Sequence, residues 1–288
     1  MKSNLFFEDY LDVIIYNYFD NINEYDELIK ISTTYNISQD YIKKRYTWLK
    51  SMNINPNIIH LKQNHEKIYE IFDNLSIMLN DNNIEYYYTS GILSYLLVNK
   101  KLERYHHDLD VFVSMSDLEK LENICREYKF RFERTLGKRD EYTNRIMLKI
   151  YYDEFDEIPI TVFMYTREID DSIIQYDYFF DANENEYVEE IYNAPQIAEL
   201  SFSNTQHYHN NIKFYSISLE ALYLCKYNNR PKNLYDCEKF KDEIDWDKLN
   251  QLKNAYKNNK DNKIYPAHSN KYYNFIFSKY QRQKVLKK

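Results

Sequence analysis

One succession constrains this chain more than any other. An apolar run, Ile84–Tyr88, stops at Thr89-Ser90-Gly91, the apolar stretch Ile92–Val98 follows, and a charged connector then leads to Asp108 and Asp110 at the head of Leu109–Val113. Read by periodicity this is strand, tight turn, helix, connector and strand. Glycine occurs only 2 times in 288 residues, so one set between a strand and a helix asks for a reason. A turn at Ser90-Gly91 allows backbone N–H groups to approach a phosphate, and the helix N-terminus beyond it favours negative charge. Side chains two apart on a strand share a face, so Asp108 and Asp110 can converge on one cation. Their hard oxygens suit Mg²⁺, or Mn²⁺ in its place, held by one or two carboxylates together with substrate phosphates.

The neighbouring segments extend this alternation. An amphipathic helix spans His65–Leu79, Ser116 and Asp117 start another over Leu118–Tyr128, and Arg145–Tyr152 with Ile158–Tyr165 read as a hairpin across the acidic turn Asp153–Glu157. The expected fold class is α/β (α+β), a small mixed β-sheet flanked by helices, over residues 61–168. Residues 1–60 read as helical, from the apolar spacing in Leu5–Phe19 and Tyr25–Met52. Within them, 27–51 resembles a helix-turn-helix whose second helix, N-capped by Ser38, would present Lys43, Lys44 and Arg45 to DNA. A small helical bundle packed on the next domain accounts for the same pattern. Residues 169–288 read as mostly helical, with strands at Tyr176–Phe180 and Lys213–Tyr215, helices at Leu219–Tyr227, Tyr235–Ile244 and Trp246–Asn258, and a basic tail from Ser278.

Arg104, His106, Asp108, Leu109 and Asp110 spell R-x-H-x-D-L-D. With the Gly-containing turn and helix before it, this stretch resembles the nucleotidyltransferase superfamily, particularly the branch of aminoglycoside and lincosamide nucleotidyltransferases and related toxin-type enzymes. Ile217–Phe240 is similar to the family's helix with a Lys followed by R-x-K-D-x-x-D: Lys226, Arg230, Lys232 and Asp236 fit, and Asn233 stands where an Asp is usual. The resemblance covers about residues 65–240. It implies a nucleoside triphosphate co-substrate with Mg²⁺ or Mn²⁺ held by Asp108 and Asp110, which are also the catalytic pair. It implies nucleotide contacts from Ser90, Gly91 and Arg104, and neutralisation of phosphates by Lys226 with Arg230 or Lys232. An acceptor hydroxyl would attack the α-phosphorus in line as pyrophosphate leaves, so that catalysis is mostly positioning and charge neutralisation. Arg104 can instead pair with a carboxylate such as Asp108, and His106 reads as orienting the connector rather than transferring protons. The family usually carries a third carboxylate on a later strand; the matching position here is Thr161, with Asp153, Glu154, Asp156 and Glu157 in the turn nearby.

Composition narrows the classes that remain. A net charge of −7 argues against a surface that wraps nucleic acid as a whole, and leaves room for a local basic groove. The 3 cysteines lack a paired-ligand pattern, so no disulfide framework or zinc site is expected, and a cytoplasmic, reducing compartment fits. No run of about 18 apolar residues spans a membrane. The expected function is transfer of a nucleoside monophosphate to a hydroxyl acceptor, a small molecule such as an antibiotic, or RNA or protein. The alternative is a degenerate nucleotidyltransferase acting as a nucleotide-sensing or DNA-binding regulator. A toxin or defence protein modifying tRNA is the third reading, should the tail and Lys226–Lys232 form one basic groove.

Overall fold

The computed structural model describes residues 32–33, 38–51, 58–89, 91–99, 102, 106, 108–155, 158–202, 204–227 and 231–277. Helix α1 (Gln39–Ser51) begins as its sequence suggests, the Ser38 hydroxyl accepting from the Tyr41 N–H at 3.1 Å. Its Ile42 is fully buried in the main core, whereas Lys43 and Lys44 are exposed and Lys44 pairs with Asp40 one turn back. Helix α2 (Ile58–Asp81) buries Ile68, Ile71, Phe72, Leu75, Met78 and Leu79, an apolar stripe at helical spacing. It starts earlier than the apolar pattern suggests, and the expected boundary at 60/61 falls inside it.

An eight-stranded mixed sheet frames the molecule. Strand β1 (Tyr86–Thr89) is antiparallel to β2 (Leu109–Ser114). Across the charged connector between them, α3 (Gly91–Ser94) opens and passes into a π-turn, Tyr95–Asn99. After α4 (Leu118–Cys125), strands β3 (Phe130–Lys138) and β4 (Asn144–Tyr152) form a hairpin. Strand β5 (Pro159–Arg167) then inserts between β4 and β2, antiparallel to the first and parallel to the second. The β4–β5 hairpin is the one expected; β3 is an addition. Its alternation, Phe130, Phe132 and Arg134 against Arg131, Glu133 and Thr135, is broken as a binary pattern because Arg134 lies on the inward side, buried and paired with Glu122 at 3.0 Å.

Past Phe163, β5 leaves β4 and takes β6 (Ile173–Phe180) as its neighbour; β7 (Glu186–Asn193) follows. After α5 (Pro195–Ser201), β8 (Gln206–His209) and β9 (Ile212–Tyr215) make a separate two-stranded ribbon. Helices α6 (Leu219–Lys226), α7 (Pro231–Phe240) and α8 (Trp246–Lys257) come next, and β10 (Lys263–Pro266) pairs with β7 at the sheet edge. The sheet is thus larger than expected and runs across residue 168, because β6, β7 and β10 come from the C-terminal part.

Scarce glycine leaves its mark on the turns. Neither glycine has a positive φ, and the left-handed positions fall to Asn83, Lys129, Asp171, Glu184, Asn210 and Asn211. Asn and Asp tolerate that region through local side-chain hydrogen bonds, which explains four of the six. One face of the sheet is closed by α2: Tyr88 meets Phe72 with ring centroids 4.4 Å apart and hydrogen-bonds Ser76 at 3.0 Å. On the other face, Phe202 packs against Tyr87, Phe112 and Tyr165.

Candidate active site

Strand registry builds the site. Thr89 on β1 lies opposite Asp110 on β2, Asp110 opposite Thr161 on β5, and Thr161 opposite Lys149 on β4, with Glu133 on β3 beyond it. Directly opposed residues carry their side chains on one face, so these five form a single transverse row. Leu109 and Val111 point the other way, into the core, which fixes Asp110 to the row. Asp108 is exposed just before β2, Asp110 is half-buried and Thr161 is buried. The position expected for a third carboxylate therefore stands directly beside Asp110, and a hydroxyl occupies it.

Helix α2 holds the connector that delivers the carboxylates. Asn64 grips His106 through two reciprocal bonds, its amide nitrogen donating to the His106 carbonyl at 2.8 Å and its carbonyl oxygen accepting the His106 N–H at 2.9 Å. Further upstream, the Leu102 N–H donates to the Tyr69 hydroxyl at 2.7 Å. Both anchors come from one helix, and His106 lies two residues before Asp108. The His106 ring is buried edge-on to Tyr95 at 5.6 Å, so its place is in orienting the connector.

Lys226 is not presented to solvent. Its ammonium donates to the Asp236 carboxylate at 2.9 Å, and the Tyr95 hydroxyl donates to the other oxygen of the same carboxylate at 2.9 Å. Asp236 has no exposed surface and Lys226 is 8% exposed. This knot ties α6 and α7 to the helical turn that begins at Gly91. Ser218 caps the start of α6 by accepting from the Ala221 N–H, which sets the helix on which Lys226 is the last residue. An ion pair this deep is held by geometry and by the second hydrogen bond, from Tyr95 to Asp236, rather than by net Coulomb gain.

Of the residues the sequence singled out, the structure thus places Asp108 and Asp110 at the head of β2, Gly91 buried at the start of α3, and Lys226 in the knot. Ser90, Arg104, Arg230, Asp156, Glu157 and the side chain of Lys232 lie outside the described residues, as does most of 1–37. Asn64, Tyr95 and Lys149 were not anticipated. An Asn in the buried stripe of an amphipathic helix, in register with Ile68 and Ile71, was the available signal for the first; the other two emerge only from strand registry and tertiary contact. Asp108 and Asp110 match the donor set of a Mg²⁺ that completes its shell with phosphate and water. Among the described residues, no group of three or more His, Cys, Asp or Glu gathers as a metal cage.

No family model and no curated protein matches the sequence. Solved structures do show likeness. The chain is similar to the antibiotic-resistance factor ANT(2'')-Ia in solution, with a TM-score of 0.45 and 11% identity over 68% of this chain and 93% of that one. It is also similar to the lincosamide antibiotic adenylyltransferase LnuA bound to lincomycin, with a TM-score of 0.39 and 16% identity over 62% and 97% of the two chains. A crystal structure of ANT(2'')-Ia with adenylyl-2''-tobramycin gives a TM-score of 0.35 and 12% identity over 67% and 89%. Among the described residues no helix is long and apolar enough to cross a membrane.

Proposed function

We propose that this chain is a nucleotidyltransferase that moves a nucleoside monophosphate from a triphosphate to a hydroxyl group of a small molecule such as an antibiotic. The observation that carries the reading is the transverse row: Asp110 opposed to Thr161 on a parallel neighbour, with Asp108 exposed two residues before Asp110, just ahead of β2. In this reading Asp108 and Asp110 hold Mg²⁺ or Mn²⁺, which when bound supplies charge neutralisation for the triphosphate. Asn64 and Tyr69 fix the connector, so the carboxylates are aimed before substrate arrives and little ordering remains to be done on binding. The acceptor oxygen forms its bond to the α-phosphorus, the bond from that phosphorus to the bridging oxygen breaks, pyrophosphate leaves with the electron pair, and the hydroxyl proton passes to solvent. Ser90 and Gly91 contact the phosphates at the turn after β1. Arg104, Arg230 and Lys232 are the cations available to them, while Lys226 serves through the knot.

The test is incubation with each α-labelled triphosphate, Mg²⁺ or Mn²⁺, and pools of antibiotics, tRNA and protein. Label is expected on a small hydroxyl compound, with pyrophosphate released. The double variant Asp108→Asn, Asp110→Asn is expected to lose both transfer and metal-dependent triphosphate binding completely, and each single change to be nearly as damaging, because a charged oxygen ligand is removed. Undiminished transfer in the double variant would refute the site.

A further inference from the structure

The row contains a cation that the proposed chemistry has not used. We infer that Lys149 is a triphosphate-binding residue, and that its ammonium takes the place of a second divalent cation beside Thr161; this rests on the nucleotidyltransferase reading of the site. Lys149 lies opposite Thr161, which lies opposite Asp110. Two strand spacings put the Lys149 and Asp110 backbones roughly 9–10 Å apart, and a lysine stem reaches most of the way across. Leu148 and Ile150 are fully buried on the opposite face, so Lys149 is committed to this one. On its outer side the next residue in the row, Glu133, is already engaged by Arg131 at 2.7 Å, and Arg131 also lies over the Tyr151 ring. No described residue takes the Lys149 ammonium in a hydrogen bond or ion pair.

Charge balance then decides what the row attracts. With an acid at position 161, three carboxylates would converge, enough negative charge for two divalent cations. Thr161 removes one negative charge and Lys149 adds a positive one, leaving a site suited to one divalent cation and one fixed ammonium. A bound phosphate between them meets both, the ammonium as a point charge with three donors.

The experiment uses the full-length chain, Mn²⁺, and each α,β-methylene ribonucleoside triphosphate in turn, which cannot be cleaved at the reacting bond. Affinity is read by calorimetry and bound Mn²⁺ is counted by electron paramagnetic resonance. Wild type is expected to bind one Mn²⁺ with the analogue. Lys149→Met and Lys149→Thr are expected to weaken the analogue by about 10-fold or more, the scale of a lost charge-assisted bond, at the same Mn²⁺ count. Lys149→Arg is expected to stay within a few-fold of wild type. The threonine variant keeps strand propensity should methionine disturb the fold. Unchanged affinity in either truncation, or a wild-type count of two Mn²⁺, overturns the role of Lys149 while leaving the nucleotidyltransferase reading intact. Failure of wild type to bind any analogue overturns both.

Discussion

The molecule holds its charges in two contrasting settings. In and beside the transverse row, Asp110 and Lys149 are half-buried on the sheet face and Asp108 is exposed just before β2; in the knot, Lys226 and Asp236 are buried and satisfied by each other and by Tyr95. The same residue types therefore serve different ends. Asp108 is exposed and Asp110 half-buried, whereas Asp236 is fully enclosed and has both oxygens committed. At Lys226 the lysine at the motif position joins helices α6 and α7 through its bond to Asp236.

The contrast can be broken most severely at Asp236. Asp236→Ala leaves the Lys226 ammonium buried without its carboxylate, and is expected to destabilise the chain by about 3–5 kcal/mol in urea unfolding. The double variant Lys226→Met, Asp236→Leu removes both charges and is expected to recover most of that loss. If Asp236→Ala unfolds at the wild-type midpoint, the knot is not architectural and Lys226 returns as a candidate phosphate ligand. This behaviour mirrors that expected of Asp108 and Asp110, whose replacement abolishes binding and leaves stability nearly untouched.

A smaller effect is expected where the two settings are joined. Asn64→Ala removes both bonds to His106 and is expected to cost about 1–3 kcal/mol in stability, with a weakened metal-dependent affinity for triphosphate, since Asp108 loses its anchored connector. Calorimetry on the folded variant separates the two: full affinity with reduced stability would show that the clamp only packs the helix. The smallest change is expected from Thr161→Asp, which restores a carboxylate to the row. Transfer is expected to rise by about threefold, well under 1 kcal/mol of barrier, with a second Mn²⁺ taken up. A fall in transfer would mean that Lys149 and an acid at 161 neutralise each other.

Much of the frame could be read from the sequence because the local signals agreed with the tertiary outcome. Strand β1, the apolar helix from Gly91, the β4–β5 hairpin and the Ser38 cap all appear close to where periodicity and capping chemistry put them. The placement of Asp108 and Asp110 at the head of a strand was legible for the same reason. What was not legible depends on long-range pairing. Lys149 looks like any solvated lysine until β5 is inserted beside it, and β6, β7 and β10 join the sheet through registries that no local pattern encodes. The burial of Lys226 was hidden as well, because its partner Asp236 lies on the next helix and takes a second hydrogen bond from Tyr95, 141 residues before it.

The insertion of β5 between β2 and β4 has a consequence for how the chain assembles. The β3–β4 hairpin is local and can form early, whereas the parallel pairing of Asp110 with Thr161 closes a long loop and must follow it. The row is therefore among the last features to be completed during folding. A chain stalled with its hairpins formed and β2 still unpaired has both aspartates but no Thr161 or Lys149 beside them. Recovery of triphosphate binding during refolding should lag behind recovery of hairpin structure, making the ligand a reporter of the final step.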